Sequence, residues 1–90
     1  MAWAIELSPG ARRDLKQLDR QHAHRILKFL SERVTCLDDP RSIGRPMQGQ
    51  QLGGLWRYRV GEYRVICSIE NERFVVLVVE VGHRREIYRV

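Results

Sequence analysis

Ninety residues with 16 lysines and arginines against 11 aspartates and glutamates carry a formal charge of +5 and a pI near 9.9, which allows one domain, 1–90, with a modest core and favours nucleic acid or another polyanion as partner. The longest apolar run, Phe74 to Val79, suits a strand and not a membrane span. Glu6, Arg12, Arg13 and Asp14 break up any apolar stretch of a signal peptide, so the expectation is a cytoplasmic protein with no membrane segment.

Trp3, Ile5 and Leu7 alternate as a short first strand. Ser8 and Pro9 then make an N-cap and a first helical residue whose missing N–H costs nothing. Ala11, Leu15 and Leu18 have helical spacing, and Asp19 either ends this helix or caps the next. In the second helix Ala23, Ile26, Leu27, Leu30, Val34 and Leu37 form a continuous apolar stripe meant for the sheet, with Arg25, Lys28 and Glu32 opposite. His22 and His24 lie about 200° round the helix by its ~100° per residue, so they cannot share a metal and are expected to be solvated.

From Asp38 to Gly54 the periodicity disappears among Pro40, Gly44, Pro46, Gly49, Gly53 and Gly54. Such a long loop is often functional. It either carries Arg41 and Arg45 towards the basic sheet face described next or only spans the distance from helix to sheet.

Leu55 to Tyr88 reads as two consecutive hairpins and a basic tail. Trp56, Tyr58 and Val60 share one face of a strand, and Tyr63, Val65, Cys67 and Ile69 share one face of the next, joined by a two-residue turn at Gly61-Glu62. This turn length sets Val60 against Tyr63, Tyr58 against Val65 and Trp56 against Cys67. It also sets Arg59 against Arg64, with Arg57 two residues along. Like charges directly opposite cost roughly 0.2–1 kcal/mol, so three converging guanidiniums are better explained by an anionic ligand, and planar forked donors suit phosphate. The strand Phe74 to Val81 is apolar on both faces and so belongs at the sheet's centre, with Val75, Leu77 and Val79 on the side of Arg64 and Ile66. Cys36 and Cys67 are expected to be reduced thiols, and no metal cluster or cofactor site is expected.

Gly82 gives the chain a sharp turn into His83-Arg84-Arg85-Glu86-Ile87-Tyr88. Cations together with an ionisable phenol, and no metal ligands, match metal-independent attack of an RNA 2′-hydroxyl on its own phosphate. That reaction needs a base, an acid and fixed positive charge for the phosphorane.

The order strand, two helices and basic hairpin, the segment GEYRV at Gly61 to Val65 and the ending VGHRREIY at Val81 to Tyr88 resemble the RelE toxins of bacterial toxin–antitoxin pairs. The resemblance implies an α+β fold in which an N-terminal strand and two helices pack on a small, mainly antiparallel sheet of about four strands. It implies an endoribonuclease that cleaves messenger RNA in the A site of the 70S ribosome and is neutralised by a cognate RelB-like antitoxin. By resemblance Arg64 stabilises the phosphate, Arg84 acts as general acid or transition-state clamp, and Tyr88 stacks on or activates the substrate. The strand before GEYRV carries Arg57 and Arg59 where well-known members carry lysines. Guanidiniums keep their protons, so these two are read as phosphate-binding and the base is Tyr88 or His83. The alternatives are a ParE-type toxin that inhibits DNA gyrase by binding it, and a non-catalytic module that binds an antitoxin or nucleic acid.

Overall fold

The structure, a computed structural model, describes residues 2–47 and 54–83. Strand β1 (Ala4–Leu7) leads into helices α1 (Pro9–Gln17) and α2 (Arg20–Phe29), then a two-residue strand β2 (Arg45–Pro46) and the long strands β3 (Leu55–Val60), β4 (Tyr63–Glu70) and β5 (Val75–His83). The sheet has five strands in the order β1-β5-β4-β3-β2, where about four were expected; β1 runs parallel to β5 and the other pairings are antiparallel. The added strand is β2, too short to leave an alternating pattern in the sequence. It lies at the sheet edge, where Pro46 costs no ladder bond.

The helix starts follow from local chemistry. Ser8 caps α1, its hydroxyl oxygen accepting from Ala11 N at 3.0 Å, and Pro9 stands at the first turn. The same hydroxyl donates to Val79 O at 3.1 Å, tying the cap to β5. Asp19 proves to be the N-cap residue of α2, through its backbone conformation and without a side-chain hydrogen bond. Past Phe29 the helix loosens into a π-turn over Leu30–Val34, closed by Thr35 N donating to Leu30 O.

Both helices cover one face of the sheet. The core there joins Ala11, Leu15, Ile26, Leu30 and Val34 to Tyr58, Val60, Val65, Cys67, Val76, Val78 and Val81. The apolar stripe of α2 differs from expectation at Leu27, which stays 41% exposed. The helix turns its Phe29 flank inward, against Tyr58 at 5.7 Å between rings, and so carries Leu27 out past β1, the last strand on that side. His22, expected to be solvated, packs instead on the Tyr63 ring, 5.0 Å between centroids.

In the β3–β4 turn Gly61 has φ +61°, and Glu62 does not share the positive φ, the pattern of a turn that favours glycine first. The second hairpin closes through a short helical turn at Asn71–Arg73 and Phe74, whose φ of 53° takes it out of the strand, so β5 begins at Val75. At its far end β5 continues through Gly82 to His83, where a turn was expected, because both residues pair with β4. Among the described residues no helix is long and apolar enough to cross a membrane.

Candidate functional site

The register of β3 and β4 matches the turn-based expectation at every pair: Trp56 with Cys67, Tyr58 with Val65, Arg59 with Arg64, Val60 with Tyr63. Residues opposite each other project to the same side, so Arg57, Arg59 and Arg64 rise together from the face that the helices leave uncovered. Arg45 joins them, since β2 sets it directly opposite Arg57. Arg41 does not. Its guanidinium lies 5.7 Å from the Trp56 ring, on the helix side of β3.

Between these arginines and the other end of β4 lies an apolar floor. Ile66 and Met47 are buried there, with Leu55 and Val79 packed against them. Val75 and Leu77 share this face, as expected, through their pairing with Glu70 and Ser68. At the far end Arg73 is held by Glu6 at 2.9 Å and Glu70 at 3.1 Å. The face away from the helices therefore grades from guanidiniums, across apolar side chains, to a closed ion-pair network.

Arg64 is only 8% exposed, the one charged residue among the described ones to be buried. Burial of a guanidinium is tolerated only with hydrogen-bonding partners or a charge to meet. Strand order puts Arg64 on β4, the middle strand of the five, between Arg59 on β3 and Gly82 on β5. Arg59, on β3 beside the turn, stays exposed.

A β-bulge between Ile66 and Cys67 makes Glu80, not Val79, the partner of Ile66. Glu80 is thus a carboxylate on the arginine side of the sheet that sequence reasoning missed. Its carboxyl is pushed up, first by desolvation and then by repulsion from Asp14. Asp14 itself accepts a hydrogen bond from Val81 N at 3.0 Å, capping the free edge of β5. The signal for Glu80 was faint: two successive valines, Val78 and Val79, conceal the extra residue of the bulge.

His83 pairs with Tyr63, so its ring lies on the helix side of the sheet, 5.8 Å from the Tyr63 ring and 3.8 Å from the Glu62 carboxylate. That is the face opposite Arg64. Arg84 and Tyr88, the two further residues expected in the site, lie outside the described residues. Both cysteines are free thiols, Cys36 exposed and Cys67 buried.

A family model described as the ParE toxin of type II toxin–antitoxin systems, parDE, matches residues 5–88. The toxin RelG of Mycobacterium tuberculosis is 29% identical over 89 residues, which is 99% of this chain and 99% of its own. The toxin RelE of the same organism is 28% identical over 86 residues, 96% of this chain and 86% of its own. Among solved structures, the toxin–antitoxin complex RelBE2 of M. tuberculosis superposes with a TM-score of 0.84 at 26% identity, over 96% of this chain and 95% of the matched one. The α+β fold is that of the RelE-like toxins. The chain belongs to the ParE toxin family of type II toxin–antitoxin systems, and with it to the RelE/ParE superfamily of toxins.

Proposed function

We propose that this toxin is a ribosome-dependent endoribonuclease that cuts messenger RNA in the A site of the 70S ribosome and is neutralised by a cognate, RelB-like antitoxin. The observation that carries this reading is the gathering of Arg45, Arg57, Arg59 and Arg64 beside an apolar floor on the sheet face away from the helices. Repulsion among guanidiniums is a standing cost to the fold, and a polyphosphate ligand offsets it.

In this mechanism Arg57 and Arg59 hold the backbone phosphates on either side of the cut. The 2′-oxygen attacks the adjacent phosphorus and the bond to the 5′-oxygen breaks, the departing oxygen taking a proton from solvent water, which leaves a 2′,3′-cyclic phosphate and a 5′-hydroxyl. Arg64 and, by the family resemblance, Arg84 stabilise the charge gathering on the phosphorane; preorganised charge of this kind is often the largest contribution to a rate. The base that removes the 2′-proton is Tyr88. Arg57 and Arg59 cannot lose a proton, and the His83 ring occupies the other side of the sheet. The floor of Ile66, Leu55 and Val79 gives bases an apolar surface to lie on, and gives the antitoxin one to bury. That antitoxin is expected to be acidic, to complement the +5 charge.

The family's own name favours a second reading, a ParE-type toxin that binds DNA gyrase. The two separate on induction in growing cells without antitoxin. Incorporation of labelled methionine is expected to stop first while thymidine incorporation continues; early arrest of thymidine incorporation over intact messenger RNA would establish the gyrase reading instead.

A further inference from the structure

On the helix side of the β3–β4 turn lies a second basic site, which meets the sheet face at Arg59. It is a cleft of ≈ 340 Å³ lined by Arg25, Lys28, Arg33 and Arg59, with Phe29, Val60 and Gly61 and a single carboxylate, Glu32. We propose that this cleft is a second phosphate-binding subsite, which holds the RNA backbone where it passes round the hairpin tip from the arginine face.

Three observations support this. First, two guanidiniums already lie against the walls of the cleft. Arg25 lies so close over Gly61 that a Cβ at that position would come 2.9 Å from its Nη1, and Arg33 stacks on the Phe29 ring at 5.6 Å. Second, Arg59 lines this cleft and also a notch of ≈ 40 Å³ beside Arg64 at the turn, so the two basic regions join through one side chain. Third, the cleft offers a protein partner little to bury, since Phe29 packs on Tyr58 and Val60 is already in the core. Apolar docking surface lies in the neighbouring groove of ≈ 550 Å³, lined by Ile5, Leu7, Leu27 and Leu30, with Lys28 and Glu32 on the ridge the two share. Glu32 is exposed and 4.0 Å from Lys28, too weak a pairing to neutralise the site.

The subsite rests on the RNA-cutting reading only for the nature of its ligand. The test is fluorescence anisotropy of the full chain with labelled single-stranded RNA of about 20 nucleotides, titrated with salt. Variants are Arg25→Ala with Arg33→Ala, Lys28→Glu alone, and, as a charge-matched control on α1, Arg12→Ala with Arg13→Ala. Both cleft variants are expected to lose on the order of tenfold in affinity, with the log–log salt slope flattened by about 0.7 per contact removed, while the control keeps its affinity. Repeating the assay on 70S ribosomes without messenger tells messenger phosphates from ribosomal ones, and a loss in either arm supports the subsite.

Equal losses in cleft variants and control, or no loss in either arm, would overturn the proposal. So would unchanged RNA binding with weakened binding of the purified antitoxin, which would give the cleft to an acidic protein. Losses confined to the cleft variants in a protein that cuts no RNA would leave the subsite standing and remove the nuclease reading alone.

Discussion

Arg59 and Arg64 stand directly opposite each other across the β3–β4 ladder, one exposed and one buried. If this pairing serves a ligand at the expense of the fold, Arg59→Glu should raise stability by about 0.2–1 kcal/mol by turning a like pair into an unlike one, and should weaken RNA binding. Urea unfolding and RNA titration of the same preparation measure both; a less stable variant that binds as well as the parent would break the link.

In the proposed mechanism Arg64 acts through a forked donor and not through charge alone. Arg64→Ala should lower the rate of RNA cleavage by on the order of 10²–10³-fold, the range seen when a preorganised donor is removed. Arg64→Lys should recover little of it, because an ammonium cannot reproduce the fork. Circular dichroism of both variants separates lost chemistry from lost fold.

Much of this face was legible in the sequence, and the reasons are local. The pairing of Arg59 with Arg64 follows from the two-residue turn at Gly61-Glu62, and the cap at Ser8 from its hydroxyl ahead of a proline. Arg45 opposite Arg57 was not legible, because two residues of edge strand carry no period. Nor was Glu80, because a bulge shifts one strand without altering its apolar run. The outward turn of Leu27 depends on where the sheet ends, a tertiary fact that helical spacing does not carry. The contributions of Arg84 and Tyr88 rest on resemblance and chemistry.

Tyr58 fastens β3 to the preceding loop: its buried hydroxyl donates to Pro40 O at 2.6 Å. Tyr58→Phe leaves that carbonyl without its donor and should cost about 1–3 kcal/mol, lowering the melting temperature by roughly 4–8 °C per kcal/mol. Cleavage per folded molecule should not change, since the phenol lies on the helix side of the sheet.

Alkaline stability should depend on the same core. Burial pushes the Cys67 thiol up from 9.0 to about 12, and the Tyr58 phenol is raised well above its ordinary 10.0, first by burial and then by Cys67. The unfolded chain therefore releases protons that the folded chain retains. The stability linked to Cys67 is fully present below pH 9 and is lost as pH rises through about 12. Denaturant unfolding between these values should show a falling stability whose slope is shallower in Cys67→Ala; equal slopes would refute the assignment.

Ser8 both caps α1 and donates to Val79 O. Ser8→Ala should destabilise the protein by about 1–2 kcal/mol, more than a cap substitution at a solvated helix end, as read by thermal unfolding beside Ser8→Thr, which keeps the hydroxyl.

Whether the arginine face breaks messenger RNA on the ribosome is read out by a primer-extension map of that RNA in a translating extract. Added toxin is expected to produce cuts inside codons, only on RNA under translation, and the Arg64→Ala and Arg84→Ala proteins are expected to produce none. Uncut RNA in an extract whose translation the toxin has stopped, or the same cuts from both variants, would contradict the proposal.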